Sequence, residues 1–195
     1  MKLMIASDLH GSALYCRKLL NAFASEKADR LLLLGDLLYH GPRNDLPEGY
    51  DPKAVIALLN PLADRLFCVR GNCDAEVDQM VLEFPILADY AVFSWGNRLI
   101  YATHGHLFGE QNPPRLRSGD ILLCGHTHVP RCTEHALFTY WNPGSVSIPK
   151  EDSVRGYMLL EEEAVCWKDL DGAVWMASGR TAPDFEGPAA SAHGK

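Results

Sequence analysis

The sequence has little of three features: long hydrophobic runs, an excess of basic residues and closely spaced cysteine pairs. No apolar run approaches the roughly 20 residues that a membrane-spanning helix needs, so no membrane insertion is expected. Acidic residues outnumber Lys and Arg by 25 to 18, and the formal net charge is -7. Sequence-independent binding to nucleic acid needs clustered Lys and Arg, so we expect no nucleic acid partner. Small phosphorylated substrates are not excluded, because a metal ion can reverse the local charge.

The six cysteines are scattered and form no C-x-x-C pair. Several stand in apolar runs, such as Cys68 in LFCV and Cys124 in ILLCG, which is more typical of a reduced core thiol than of a disulfide. The first polar motif begins at Asp8, too early for a signal peptide. We therefore predict a cytoplasmic protein. A redox role for the cysteines is a distant alternative, which thiol alkylation would test.

The first half of the chain alternates short apolar runs with amphipathic segments, a pattern typical of strands and helices in turn. Ser12 is placed to cap a helix over ALYCRKLLNAFA, and Asp51-Pro52 to open a helix through KAVIALLN. Asp74 is expected to cap a third helix, over AEVDQMVLEF. Buried strands are predicted over KLMIAS, RLLLLGD and LFCV.

The second half is rich in strand-like runs. Gly96-Asn97 separates YAVFSW from RLIYATHG, which predicts a β-hairpin whose hydrophobic strand is either core or an interface between copies of the chain. A βαβ half followed by a β-rich half predicts two stacked sheets flanked by helices. We assign residues 1–177 to one domain. Residues 178–195, rich in Ala, Gly and Pro, are expected to form a flexible tail.

Polar motifs recur immediately after the apolar strands. In an open α/β sheet, loops at the carboxyl ends of strands converge on one crevice. Asp-x-His and His-x-His place alternate side chains on one side of an extended segment, so each pair can reach one centre. The motifs are Asp8-Leu9-His10, Gly35-Asp36, Gly71-Asn72, Thr103-His104-Gly105-His106 and Gly125-His126-Thr127-His128.

This set of side chains predicts a site for two metal ions. Carboxylate oxygen and neutral imidazole suit divalent Mn, Fe, Ni or Zn, and the near absence of Cys disfavours a structural zinc site. Two ions about 3.5–4 Å apart can generate a hydroxide and stabilise both ends of an in-line displacement at phosphorus. Without metal, buried Asp and His side chains would be costly, because unpaired charges resist desolvation.

Five motifs occur in order along residues 1–150, namely DLHG, GDLLYHG, GNCD, THGH and GHTH. The series resembles the calcineurin-like metallophosphoesterase superfamily, whose motifs are D-x-H, G-D, G-N-H/C-D, a loop that contains His, and G-H-x-H. Together with the chain length, the stretches HGPRNDLPEGY and GNCD are most similar to small bacterial phosphodiesterases of the YfcE type. The resemblance implies a four-layer αββα sandwich of two mixed sheets flanked by helices.

The resemblance also implies a ligand set and a reaction. Asp8, His10 and His128 would hold the first ion, and Asp36 would bridge both. The second ion would be completed by Asn72, His104 and His126. A metal-bridging water or hydroxide would attack phosphorus directly, without a covalent enzyme intermediate. Mn is the expected metal, with Fe, Ni and Zn left open.

Cys73 stands where many members of the superfamily have His beside the phosphate. A thiol has an unperturbed pKa of about 8.5 and is a weak hydrogen-bond donor, so it is a poor general acid. We therefore expect Cys73 to be a bystander, and expect slow turnover of substrates with poor leaving groups. A nucleophilic thiol would need an activating base, and the metal hydroxide already fills the nucleophile's role.

Two further residues are expected near the substrate. Arg43 lies in the loop after the Asp36 strand and suits bidentate phosphate binding, although solvation at the surface fits it equally well. His106 either supports a ligand from behind or faces the substrate. Asn72 and His10 are the expected catalytic residues: Asn72 holds the phosphate, and His10, a metal or water helps the leaving group.

We interpret the protein as a phosphodiesterase acting on a small phosphodiester. Alternatives are a phosphomonoesterase on the same site and a non-catalytic, metal-binding scaffold like the retromer subunit of this fold. All seven expected ligand positions carry residues that can bind metal, which disfavours the non-catalytic scaffold. A cyclic nucleotide, a nucleotide-derived diester and a small lipid-derived diester all remain open as substrates, and so does assembly into a homo-oligomer.

Overall fold

The first of two mixed sheets is six-stranded. We describe it from a computed structural model in which residues 1–162 and 164–179 are described. Its parallel strands are β1 (Leu3–Ala6), β2 (Arg30–Leu33) and β3 (Leu66–Cys68). Its antiparallel strands are β9 (Gly156–Leu160), β10 (Ala164–Asp169) and β11 (Val174–Gly179). The strand order is β11-β10-β9-β1-β2-β3, so β9 pairs directly with the first strand of the chain.

The second sheet is five-stranded, in the order β4-β5-β6-β8-β7. Its strands are β4 (Tyr90–Trp95), β5 (Arg98–Thr103), β6 (Asp120–Leu123), β7 (Arg131–Glu134) and β8 (Phe138–Asn142). β5, β6 and β8 are parallel, and β4 and β7 are antiparallel edge strands. The hairpin at Gly96-Asn97 is therefore confirmed. β7 was not predicted, because its sequence RCTE is short, polar and half-exposed.

The helices are α1 (Ala13–Ser25), α2 (Pro52–Leu59) and the short α3 (Glu76–Gln79), with a 3₁₀ turn at Asn60–Arg65. Both predicted caps form: Ser12 Oγ accepts a hydrogen bond from the Tyr15 N–H (3.2 Å), and Asp51 Oδ1 accepts one from the Ala54 N–H (3.0 Å). Among the described residues, no helix is both long and apolar enough to cross a membrane.

The prediction that Asp74 caps a third helix is wrong. α3 has only four residues, and Ala75 occupies its N-cap position. The Asp74 carboxylate is instead buried and accepts hydrogen bonds from backbone N–H groups that include that of Leu37. These N–H groups belong to the loops that follow β2 and β3. Such long-range hydrogen bonds cannot be predicted from the residues next to Asp74 in the sequence.

Side chains alternate between the two faces of each strand, as the pleat requires. In β1, Met4 faces the helices, whereas Leu3 and Ile5 face the second sheet. The inter-sheet core is filled by residues such as Ile100, Ile121, Leu123, Trp141, Met158 and Trp167. Because burial of apolar surface contributes about 25 cal/mol per Å², this shared core holds the two sheets face to face.

The outer faces of the two sheets are covered differently. α1 and α2 pack on the first sheet. On the second sheet, Leu122 and Tyr140 are covered by strand residues and by Leu116, which lies in the loop between β5 and β6. The predicted stacking of two mixed sheets is confirmed, and a loop lies where the four-layer prediction places helices on the second sheet.

Two predictions concern segments at the surface. In β4, Phe93 and Trp95 pack against the inter-sheet core, whereas Tyr90 and Val92 are 58% and 42% exposed, so one face of the hairpin strand is core. Homo-oligomer formation stays a prediction. β11 continues through Gly179, two residues into the predicted tail. Residues 180–195 lie outside the described residues, and the flexible tail stays a prediction as well.

Glu26 links α1 to the first sheet. Its Oε1 accepts hydrogen bonds from the Tyr157 hydroxyl (2.9 Å) and from Lys168 Nζ (2.6 Å). Burial opposes ionisation of Glu26, but the hydrogen bonds from Lys168 and Tyr157 outweigh it and lower the pKa of the carboxyl. The ionised form of Glu26 therefore stabilises the fold.

We expect Glu26→Gln to lower the free energy of unfolding by about 1–2 kcal/mol at neutral pH. The native pKa of Glu26 lies below its unfolded value, so this stabilisation is present above the unfolded pKa and is lost as pH falls through the native pKa. Denaturant unfolding between pH 8 and pH 3.5 measures the difference. Glu83→Gln, at an exposed carboxylate, is the matched control. An equal loss at both pH values would contradict the assignment.

Candidate metal centre

The carboxyl ends of β1, β2 and β3 in one sheet meet those of β5 and β6 in the other. The residues predicted to bind metal lie in the loops that follow these strands. Five of them are buried, His126 is half-buried and Asn72 is exposed. The seven residues brought together are Asp8, His10, Asp36, Asn72, His104, His126 and His128.

The backbone at this edge is unusual. A positive φ places a non-glycine residue in the left-handed region, which is rare and costs about 1–3 kcal/mol. Such a conformation persists only where the surroundings hold it. The residues with positive φ include Asp8 (60°), His10 (46°), Asp36 (56°), His126 (66°) and His128 (62°).

Asp74 holds two of these loops together. Its Oδ2 accepts hydrogen bonds from the N–H groups of Asp36 and Gly71, each at 2.8 Å, and its Oδ1 accepts one from Leu37 at 2.9 Å. Gly71 must be glycine, because a Cβ there would overlap the Asp36 carboxylate. The Asp74 carboxylate thus fixes the loops after β2 and β3 to one another.

The end of β8 and the segment that follows it hold the other loops, a role that sequence reasoning missed. Ser145 Oγ and Ser147 Oγ each donate a hydrogen bond to the Asp8 carbonyl at 2.9 Å. Asn142 Nδ2 donates to the Gly125 carbonyl (2.8 Å) and to Thr127 Oγ1 (3.1 Å). Gly144 in this segment has a positive φ of 79°. The missed signal was one more polar run directly after a buried strand.

One ligand group contains Asp8, His10 and His128. The Nδ1 atoms of His10 and His128 donate to the carbonyls of Tyr39 and Ile148, each at 2.8 Å, so each ring directs its Nε2 toward the other. The two Nε2 atoms are 3.3 Å apart. Asp8 Oδ1 lies 3.5 Å from Nε2 of His10 and 3.2 Å from Nε2 of His128. That oxygen is buried and has no hydrogen-bond partner among the described residues.

A second ligand group surrounds His104. Its Nδ1 donates to the Leu34 carbonyl (2.6 Å), and its Nε2 lies 3.0 Å from Asn72 Oδ1 and 3.2 Å from His126 Nδ1. Asp36 Oδ2 lies 3.4 Å from Nε2 of His104 and 3.6 Å from Nε2 of His10. Asp36 therefore lies between the two groups.

The pKa values of the carboxyl groups and imidazoles in this centre are shifted by burial and by one another. Burial opposes ionisation of Asp8, but interactions with His10 and His128 lower its pKa well below the usual range. Burial likewise opposes protonation of His104, yet its hydrogen bond to Asp36 raises the pKa to about 9. Burial and the neighbouring His104 lower the pKa of His126 to about 4. The buried carboxylates thus favour protonation of nearby rings such as His104, and a protonated His104 disfavours protonation of His126.

These residues fit two divalent cations. Three sets of ligand atoms lie within 4.8 Å of one another: Asp8/His10/His128, Asp8/Asp36/His104 and His10/Asp36/Cys73. Carboxylate oxygen, amide oxygen and imidazole nitrogen are ligands that Mn, Fe, Ni and Zn accept. The unpartnered Asp8 oxygen and the facing Nε2 atoms are what a bound cation would satisfy.

A cavity of about 500 Å³ opens beside this centre. The residues that line it include His10, Asp36, Asn72, His126 and His128 of the metal centre, together with Arg43, Asn44, Cys73, Thr127 and Lys150. Arg43 and Cys73 both line this cavity, and their contact with substrate stays a prediction. His106 is not among the lining residues; its ring lies behind, 5.4 Å from the His104 ring and 6.2 Å from the His126 ring.

Cys73 is positioned mainly by its backbone. Its N–H donates to Asp36 Oδ1 (2.8 Å), and its Sγ accepts a hydrogen bond from Asn72 Nδ2 (3.2 Å). Burial and the Asp36 carboxylate raise the pKa of the Cys73 thiol to about 12. A neutral thiol is neither a strong nucleophile nor a ready proton donor near neutral pH.

Comparison with known proteins matches this arrangement to a family. Residues 1–164 match the calcineurin-like phosphoesterase superfamily domain. Phosphodiesterase YfcE of Escherichia coli (strain K12) is 47% identical over 165 residues, which cover 85% of this chain and 90% of the relative.

Solved structures agree. The YfcE phosphoesterase structure from E. coli has a TM-score of 0.88 and 44% identity, covering 92% of this chain and 99% of that one. A Vps29 structure from Entamoeba histolytica has a TM-score of 0.56 and 25% identity, covering 85% and 89% of the two chains. The chain therefore belongs to the calcineurin-like phosphoesterase superfamily.

Proposed function

We propose that this protein is a metal-dependent phosphodiesterase that hydrolyses a small phosphodiester. The observation that carries the proposal is the pair of ligand groups that meet at Asp36, beside an open cavity. Family membership and the 47% identical phosphodiesterase relative support the same reaction. In the reaction, a bond forms between water oxygen and phosphorus as the bond from phosphorus to the leaving-group oxygen breaks.

Asp8, His10 and His128 would hold one ion, Asp36 would contact both, and the second would be held by Asn72, His104 and His126. When bound, the two ions lower the pKa of the attacking water and neutralise charge on the phosphate. Mn²⁺ is the metal that we propose. We also place the protein in the cytoplasm, because all six cysteines are free thiols.

The geometry supports a catalytic role for Asn72 and argues against proton donation by His10. Asn72 directs its Oδ1 toward His104 and its Nδ2 toward Cys73 on the cavity wall, where the amide can donate to a phosphate oxygen. His10 has Nδ1 engaged by the Tyr39 carbonyl and Nε2 directed at the ligand group. No nitrogen of His10 is left to protonate a leaving group, so water supplies that proton.

The diester preference is directly testable. We expect faster hydrolysis of bis(p-nitrophenyl) phosphate than of p-nitrophenyl phosphate, with Mn²⁺ present and with loss of activity after chelation. Both probes release a weakly basic leaving group that needs no proton donor. Release of p-nitrophenolate measures both reactions. Preference for the monoester would make the protein a phosphomonoesterase, and no turnover with metal bound would favour a binding scaffold.

Replacing the shared ligand tests the centre. Asp36→Asn keeps the shape of the side chain but removes its charge, and we expect kcat/KM for the diester to fall by at least about a hundredfold. Elemental analysis should show fewer than two ions per chain. Asp64→Asn, at an exposed carboxylate, is the control. Full activity in the Asp36 variant would rule out the proposed site.

Metal uptake should release protons. In the metal-free protein, the interaction with Asp36 outweighs burial and raises the pKa of His104 to about 9, so His104 carries a proton at neutral pH. A metal ligand must be the neutral ring. Apparent Mn²⁺ affinity should therefore rise by up to about tenfold per pH unit from pH 6 to pH 9, as titration calorimetry in two buffers measures. Affinity that is independent of pH would contradict the role of His104.

A further inference from the structure

The cavity beside the metal centre has the size of a small-molecule site, since such sites occupy about 300–1,000 Å³ and this one is about 500 Å³. Its described lining contains one apolar residue besides glycine and the thiol of Cys73, namely Pro42. A lipid chain would therefore contact mostly polar and charged side chains here. The cavity therefore suits a polar substrate.

Two cations line this cavity from separate loops. Arg43 follows β2 and Asp36, whereas Lys150 lies between β8 and β9. Both side chains are exposed, and neither forms an ion pair with a described residue. Both cations are therefore free to bind an anion that enters the cavity.

The backbone of both loops is fixed relative to the centre. The Lys150 N–H donates to the His128 carbonyl (3.2 Å), and the Lys150 carbonyl accepts from Ser153 Oγ (2.5 Å). In the loop that carries Arg43, Asn44 Nδ2 donates to the His40 carbonyl (2.9 Å), and the adjacent Tyr39 carbonyl accepts a hydrogen bond from His10 Nδ1 (2.8 Å), which ties the loop to the centre. Each cation therefore projects from an anchored loop.

The metal centre together with Arg43 and Lys150 offers more positive charge than the single negative charge of a phosphodiester requires. A phosphodiester carries one negative charge, and that phosphate faces the metal ligands. Asp36, the only carboxylate among the described lining residues, lies within the metal centre itself. Arg43 and Lys150 are thus available to a second anion: a guanidinium binds phosphate in a bidentate manner, and an ammonium adds a point charge.

We infer that the substrate is a phosphodiester that bears a separate phosphate group on one arm, and that Arg43 and Lys150 bind this second phosphate. The inference rests on the proposed function and names its substrate class. A cyclic nucleotide with a single phosphate and a lipid-derived diester fit the cavity less well. A nucleotide-derived diester with a terminal phosphate matches the two cations and the polar lining.

A matched pair of chromogenic diesters tests the inference. Thymidine 5′-(p-nitrophenyl phosphate) and the same compound with a 3′-phosphate release the same leaving group and differ only in the second anion. We expect kcat/KM to be at least tenfold higher for the phosphorylated compound, mainly through KM. In Arg43→Gln/Lys150→Gln that ratio should fall to near one, whereas Arg17→Gln/Lys53→Gln, which removes the same charge at exposed positions outside the cavity, should retain it.

Other outcomes overturn the inference in distinguishable ways. If the unaltered protein hydrolyses both compounds with no preference, the second-phosphate site fails while the phosphodiesterase stands. If the Arg43/Lys150 variant loses the same factor on both compounds, the two cations act on the phosphate that reacts, and the inference is wrong. If bis(p-nitrophenyl) phosphate is not hydrolysed either, the proposed function fails first.

Discussion

The structure depends on one unfavourable arrangement: buried acceptors that face one another. Ring nitrogens of His10 and His128 are 3.3 Å apart, and both lie within 3.5 Å of the buried Asp8 Oδ1. Backbone carbonyls accept hydrogen bonds from the Nδ1–H groups of these rings, so the Nε2 lone pairs point inward. Burying such groups without positive charge costs several kcal/mol. Cation binding therefore explains both the composition of the centre and its burial.

The surrounding fold is built to maintain this arrangement. Left-handed backbone at positions such as Asp8 and Asp36 is strained, and it is held by hydrogen bonds from distant parts of the chain. Asp74 fixes the loops after β2 and β3, and the hydroxyls of Ser145 and Ser147 fix the Asp8 carbonyl. The strain is located where the ligands converge, which indicates that stability is given up for the geometry of the site.

Much of this could be predicted from sequence, because the signals were local. Apolar runs followed at once by Asp, Asn or His marked the strand ends, and parallel strands bring their ends together. Asp74 could not be placed this way, since its partners Asp36 and Leu37 lie far back in the chain. A cap in the next turn was the local alternative, and long-range hydrogen bonds prevailed. The cation at Lys150 was missed for the same reason: only the folded chain brings it to the cavity that Arg43 lines.

Cys73 determines how the site must discriminate between substrates. Its thiol, whose pKa burial and Asp36 raise to about 12, gives the leaving group no useful proton, and His10 has both ring nitrogens engaged. A substrate with a weakly basic leaving group needs no such proton, whereas an alkoxide must take one from water. Without a proton donor in the site, the rate depends more strongly on how good the substrate's own leaving group is. Selection of the correct substrate must then come from contacts in the cavity. Charged contacts away from the reacting phosphorus supply binding energy of that kind, and they match a centre that offers little acid catalysis of its own.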